Sequence, residues 1–136
     1  MTWNYLAGFF DGEGCIHYAA RSYGRYVHVH VSQGVVNERQ SQIILRVHRH
    51  LRSHGIYPRL SFYPGGLKCV VTNCQGTIAW LSAMQPYLIV KREMASSAID
   101  FARQMASRRR IQRKFTALDW EDIYLDKIHI SERTSA

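Results

Sequence analysis

Residues Tyr26–Gln33, YVHVHVSQ, alternate between apolar and polar side chains without a break. A period of two marks a strand with one buried face, because successive side chains point to opposite sides. Val27, Val29 and Val31 therefore share a core face, and Tyr26, His28 and His30 share the other. Cys15–Arg21 reads as a partner strand, with Ser22, Tyr23 and Gly24 as the turn between them. Arg59–Tyr63, the turn Pro64-Gly65-Gly66, and Leu67–Thr72 give a second hairpin. Four half-apolar strands need a helical layer over one face.

The helices can be read from caps and periodicity. Residues 3–12 form a short helix that Gly12 and Gly14 end. Asn37 caps a helix over 38–53 with Ile43, Ile44, Val47 and Leu51 on one stripe, and Gly55 closes it. Asn73 caps a helix over about 75–84, which Gln85 and Pro86 interrupt, and another runs from about Val90 to Arg110. A last helix follows Thr116 and Asp119, with Trp120, Ile123, Tyr124 and Ile128 on one face. The expected class is α+β, an αββαββα domain with a four-stranded antiparallel sheet, helices on one face and polar residues on the other. Its division is residues 1–107 as the domain proper and 108–136 as a C-terminal helical extension of it.

A chain of 136 residues fits one domain. No stretch approaches eighteen consecutive apolar residues and no basic-then-apolar leader opens it, so neither a membrane span nor a secretory signal is expected. Cys15, Cys69 and Cys74 form no C-x-x-C, which argues against a disulfide framework or zinc ribbon and for an intracellular protein. The net charge of +8 is unevenly spread. Residues 14–118 hold sixteen bases and three acids, whereas 119–136 hold two bases and five acids. A long basic stretch implies a polyanionic partner, and nucleic acid is the common one.

The chemistry concentrates in Leu6-Ala7-Gly8-Phe9-Phe10-Asp11-Gly12-Glu13-Gly14-Cys15-Ile16. Ala7, Gly8, Asp11 and Gly12 put small side chains on one side of a helix, where each Gly costs about 1 kcal/mol relative to Ala. Such a surface admits close approach of another helix, as small residues do elsewhere. Asp11 and Glu13 sit at the helix C-terminus, where the macrodipole disfavours anions. Paired carboxylates in that field suit a hard cation, Mg²⁺ by default.

The stretch resembles the LAGLIDADG motif of homing endonucleases, here L-A-G-F-F-D-G-E-G. The resemblance extends to about Ile99 through the element order, Val31-Ser32-Gln33, and Met84-Gln85-Pro86-Tyr87-Leu88 followed by Lys91. It looks like the single-motif, homodimeric branch. The resemblance implies that Glu13 binds the divalent metal with help from the Gly12 carbonyl. It likewise implies that Gln33 organises the nucleophilic water and that Lys91 is the basic residue near the metals. Arg39 is the candidate for a further active-site base. Mg²⁺ is the implied cofactor, with Mn²⁺ or Ca²⁺ substituting in binding. One motif per chain implies a homodimer, with Leu6, Ala7, Gly8, Phe10 and Asp11 at the dimer interface. The implied reaction is double-strand cleavage across the minor groove of a long pseudo-palindromic DNA, leaving 3′ overhangs, by an enzyme of the intron-encoded kind with no small-molecule substrate.

A two-stranded ribbon fits the major groove, where alternate side chains reach base edges. The polar parity supplies His17, Ala19 and Arg21, then Tyr26, His28 and His30, then Arg59, Ser61 and Tyr63, and finally Lys68 and Val70. Arg21, Arg59 and Lys68 are the strongest guanine readers among them. With cysteine expected on the opposite parity and no fourth ligand nearby, zinc on the histidine row is not expected. Arg108-Arg109-Arg110, Arg113 and Lys114 suit phosphate contacts. A catalytically inactive DNA-binding regulator and an intron RNA-splicing maturase would use the same scaffold. Retention of Glu13 and Lys91 favours the endonuclease.

Overall fold

β2 (Gly24–Gly34) is the spine of the sheet. It pairs antiparallel with β1 (Gly14–Arg21) on one side and with β4 (Gly66–Val71) on the other. β3 (Arg59–Tyr63) pairs antiparallel with β4 at the edge, so the sheet order is β1-β2-β4-β3. The computed structural model describes residues 1–21 and 24–110. The expected turn at Ser22-Tyr23, the tail helix after Thr116, Arg113 and Lys114, and the side chains of Arg21, Arg109 and Arg110 lie outside that description.

The alternation in β2 works as expected: Val27, Val29 and Val31 are buried, and Tyr26, His28 and His30 are half-exposed on the opposite face. Ile16 and Tyr18 of β1 and Leu67, Cys69 and Val71 of β4 join the same core. Pro64-Gly65 turns β3 into β4, with Gly65 at φ 81°, the left-handed conformation that a Pro-Gly turn requires.

Helices α1 (Trp3–Glu13), α2 (Glu38–Ser53), α3 (Cys74–Met84) and α4 (Arg92–Arg110) cover that apolar face. The side chain of Asn37 accepts from the amides of Arg39 and Gln40, and Gln40 reaches back to the Asn37 amide, a complete capping box. Gly55, at φ 76°, ends α2 in a Schellman arrangement: the Ile56 amide donates to Leu51 O and the Gly55 amide to Arg52 O. Asn73 caps α3 through the Gly76 amide, and a 3-10 turn at Gln85–Tyr87 breaks the chain before α4, as Pro86 dictates. α4 begins two residues later than Val90 and runs unbroken past residue 107.

The end of α1 departs from expectation in its physical cause. Gly14 is extended, at φ −81°, so backbone freedom is not what requires glycine there. A Cβ on Gly14 would lie 2.4 Å from the Phe10 ring, and that close approach is the requirement. It lets the chain leave the helix directly into β1.

Candidate active site and nucleic-acid interface

The C-terminus of α1 reaches the rim of the sheet where β1 begins and β2 ends. Gly14 stands opposite Val31, so Gln33 lies two residues further along the same rim. Gln33 is half-buried, on the core-side parity of Val29 and Val31, and among the described residues its side-chain amide donates to the Gly34 carbonyl, at 3.4 Å.

The last carbonyls of a helix have no intrahelical donors. In α1 the Gly14 amide takes Phe10 O, and the Lys91 Nζ donates to Asp11 O at 2.7 Å. An ammonium at a helix C-terminus is favoured by the macrodipole. The Gly12 carbonyl comes one residue further on, in the same donor-poor turn. The carboxylate of Asp11 points the other way: Oδ2 accepts from the Ile89 amide at 2.8 Å and Oδ1 from the Lys91 amide at 3.0 Å. These amides immediately precede α4, so Asp11 serves as a remote cap of that helix's N-terminus. The result is a reciprocal clasp, in which the acid of α1 holds the start of α4 and the lysine there holds the end of α1.

This corrects the view of Asp11 and Glu13 as two equivalent carboxylates awaiting a cation. Asp11 is satisfied by backbone amides from 78 and 80 residues away. Glu13 is exposed, and its carboxylate makes no hydrogen bond or ion pair with the described residues. Gly12, Glu13, Gln33 and Lys91 thus share one end of the sheet. Arg39 is exposed on the first turn of α2, and no hydrogen bond or ion pair ties its side chain to the other four.

The expected dimer-interface residues divide. Leu6, Ala7 and Phe10 are fully buried in this chain's own core, Phe10 edge-to-face with Trp80 at 5.8 Å, so they are not available to a partner. Asp11 is engaged in the clasp. Gly8 is exposed, and so is Gly12; a Cβ on either would meet nothing within 4 Å. The outward stripe of α1 is therefore Tyr5, Gly8 and Gly12, flanked by Ile89 at 84% and Val90 at 74% exposure. The inward residues Trp3, Leu6, Ala7 and Phe10 fall at i, i+3, i+4 and i+7, the helical period that marks the core side of α1.

The open face of the sheet is a grid. His17 stands opposite His28, Ala19 opposite Tyr26, and His30 opposite Val70, which faces Arg59; Lys68 lies between Ser32 and Ser61. His17, Arg59 and Tyr63 are exposed, and Ala19, Tyr26, His28, His30, Ser61 and Lys68 are half-exposed. Val70 has the expected parity but is only 2% exposed, so it has no surface to offer a base edge. Cys15 and Ser32 belong to the grid and were missed; both are two residues from a named member, which is the signal that places them there. Cys15 also overturns the expectation that cysteine lies on the opposite parity, since it faces His30. Even so, no group of three or more His, Cys, Asp or Glu able to hold a metal forms among the described residues.

Partial burial, reinforced by His17, His30, Lys68 and Arg59, pushes the His28 imidazole down to about 4. His30 is lowered by burial and then by Lys68 and His17. The Cys15 thiol is raised by burial, against the opposing pull of Lys91 and Lys68. At neutral pH His28 and His30 are therefore uncharged, and Arg59 and Lys68 are the basic side chains of the grid among the described residues. Among the described residues no helix is long and apolar enough to cross a membrane.

This four-stranded antiparallel sheet, with helices on one face and its motif helix ending at the sheet rim, is the homing-endonuclease fold. Its structural neighbours are LAGLIDADG homing endonucleases. I-CvuI, solved with the I-CreI target and Mg, is 23% identical at a TM-score of 0.68, over 78% of this chain and 68% of its own. The archaeal intron-encoded I-Vdi141I, solved with DNA, is 14% identical at a TM-score of 0.72, over 96% of this chain and 82% of its own. I-AabMI, bound to uncleaved DNA, is 11% identical at a TM-score of 0.71; the match covers 90% of this chain and 42% of that one. No protein-family model and no curated protein matches the sequence. At these identities the likeness establishes the fold.

Proposed function

We propose that the chain is one half of a homodimeric, site-specific DNA endonuclease of the LAGLIDADG homing type. The observation that carries this is the unpartnered Glu13 carboxylate at the end of α1, beside a lysine that the Asp11 clasp fixes there. Clustered buried partners would signal a structural role for Glu13; it has none among the described residues.

Glu13 and the Gly12 carbonyl are oxygen donors of the kind that a hard divalent cation takes. Among the described residues no group of three or more metal ligands joins this pair, which suits a site completed by a second copy across a two-fold axis. Mg²⁺ bound there would polarise the scissile phosphate and favour a nucleophilic hydroxide. Lys91, held at the helix end, is placed to stabilise negative charge developing on that phosphate. Gln33 offers an amide at the same rim to orient water. The grid of β1–β4 lies along the major groove, with Arg59 and Lys68 as charged readers and His28 and His30, uncharged at neutral pH, as hydrogen-bonding ones. Two copies would meet through Tyr5, Gly8 and Gly12, with Ile89 and Val90 at the margin, and read a long pseudo-palindromic site. The 3′ overhangs implied by the resemblance belong to this reading.

The test is incubation with a randomised pool of long duplex sites and Mg²⁺, followed by sequencing of cut ends. The wild-type chain yields double-strand breaks at a two-fold-related consensus. Glu13→Gln binds that consensus without cutting it. Cutting by Glu13→Gln removes the metal-ligand assignment. Tight duplex binding with no cutting in either Mg²⁺ or Mn²⁺ replaces the endonuclease with a DNA-binding regulator.

A further inference from the structure

After the 3-10 turn at Gln85–Tyr87 the chain runs to α4 as Leu88-Ile89-Val90-Lys91, and its backbone there is gripped from two sides. The Ile89 and Lys91 amides donate to the Asp11 carboxylate. The carbonyls are met by Arg92: its Nε donates to Leu88 O at 2.9 Å and its Nη2 to Pro86 O at 3.2 Å. Leu88 is fully buried, and its amide closes on the carbonyls of Met84 and Gln85. At the far end the Lys91 carbonyl accepts from the Ala95 amide, the first bond of α4.

Arg92 opens α4, and a cation at a helix N-terminus is disfavoured by the macrodipole. It is also exposed, where an arginine ordinarily extends into water. Instead it folds back over the chain that precedes it. The planar guanidinium presents its donors in a fixed fork, so the two bonds together set where residues 86 and 88 stand against the start of the helix. Lys91 lies between the grips: Asp11 holds its amide, and Arg92 holds the carbonyls three and five residues before it. Its Nζ then meets Asp11 O at the end of α1.

We propose that Arg92 is a positioning residue of the active site: its fork on Pro86 O and Leu88 O holds the 86–91 segment so that the Lys91 ammonium stays at the C-terminus of α1. The use made of Lys91 rests on the endonuclease reading. Arg92 itself touches neither DNA nor metal and acts through Lys91. Such a role bears on rate, because a catalytic group displaced by about 1 Å can lose about a hundredfold.

Arg92→Met removes both donors and keeps a long side chain of good helix propensity. Arg103→Met, at an exposed position further along α4, removes the same charge and is the control. Single-turnover cleavage of the selected site is measured at saturating protein, beside the Kd for that site. Arg92→Met should cut about tenfold or more slowly, with the same Kd as the control. Arg92→Lys, which reaches one carbonyl at a time, should fall between Arg92→Met and wild type. A second readout needs no cleavage: acetic anhydride labelling of the metal-free chain, followed by mass spectrometry. Relative to Lys68, the Lys91 amine should label about fivefold faster in Arg92→Met, the factor that loss of one net hydrogen bond implies. An unchanged labelling ratio, or a cleavage rate at saturation equal to that of the control, overturns the proposal. A wild-type chain that cuts no site overturns the endonuclease reading and takes the role of Arg92 with it. Normal wild-type cutting with an unaffected Arg92→Met removes the role of Arg92 alone.

Discussion

Adding one methyl group at Gly8 should have opposite effects on the folding of a protomer and on its assembly. Gly8 sits mid-helix in α1, exposed, with no heavy atom within 4 Å of where a Cβ would lie. Within one chain, Gly8→Ala therefore gains helix propensity without a steric cost, about 1 kcal/mol. For a domain of this size that raises the melting temperature by roughly 3–5 °C, measured by circular dichroism at concentrations low enough for monomer. If α1 helices of two copies meet on this stripe, the same methyl is inserted twice across the axis. Overpacking costs about 1–3 kcal/mol per site, so two sites cost about 2 kcal/mol at least. That is a loss of about thirtyfold or more in dimer affinity. Light scattering across a dilution series reads the second effect, and cleavage of the selected site should fall with dimer population. A variant that melts higher yet keeps the wild-type mass profile and cutting rate refutes pairing through α1. A variant that melts lower as a monomer refutes the claim that Gly8 faces open space.

Gly14→Ala should behave in the contrary way, destabilising by about 1–3 kcal/mol in chemical denaturation, because its Cβ would lie 2.4 Å from the Phe10 ring. Asp11→Ala leaves the Ile89 and Lys91 amides without their acceptor. Since hydrogen bonds to charged groups contribute about 1.5–3 kcal/mol each, and this carboxylate is only half-buried, a loss of about 2 kcal/mol in urea unfolding is expected. For His28 the folded state holds the imidazole at about 4 against an ordinary 6.5, so folding favours the neutral form. That contribution is whole above pH 6.5 and is lost as pH falls from 6.5 toward 4. Melting temperature should drop over that window, and His28→Gln should flatten the slope; an unchanged slope would place the acid sensitivity elsewhere.

Local signals in the sequence were read accurately because they act locally. Asn37 and Asn73 cap the helices that follow them, Gly55 closes α2, and the valine period of β2 fixes which face is core. Distant geometry was not legible in the same way. Nothing near Asp11 announces that its partners are amides beyond residue 88, so its carboxylate looked as free as that of Glu13. Leu6, Ala7 and Phe10 looked like an interface because they share the motif with the small residues Gly8 and Gly12, yet they lie on the inward side of α1, where Phe10 meets Trp80. Val70 has an outward parity, yet its row neighbours His30 and Arg59 are far larger, and it ends up covered. Cys15 was within reach of the same parity rule that placed His17.

His28 touches three of its neighbours by ring contact: His17 at 4.7 Å, Tyr26 at 5.6 Å and His30 at 6.2 Å. Contacting residues do not contribute independently, and their substitution energies fail to add. Any attempt to redirect this surface one position at a time would therefore measure the disturbance of a cluster, not the preference of a letter. Those four positions form a single word in the molecule's vocabulary, to be randomised and selected as a block. Arg59 and Lys68 make no ring contact with that cluster, but their charges bear on His28, and that of Lys68 on His30, so they belong in the same selection.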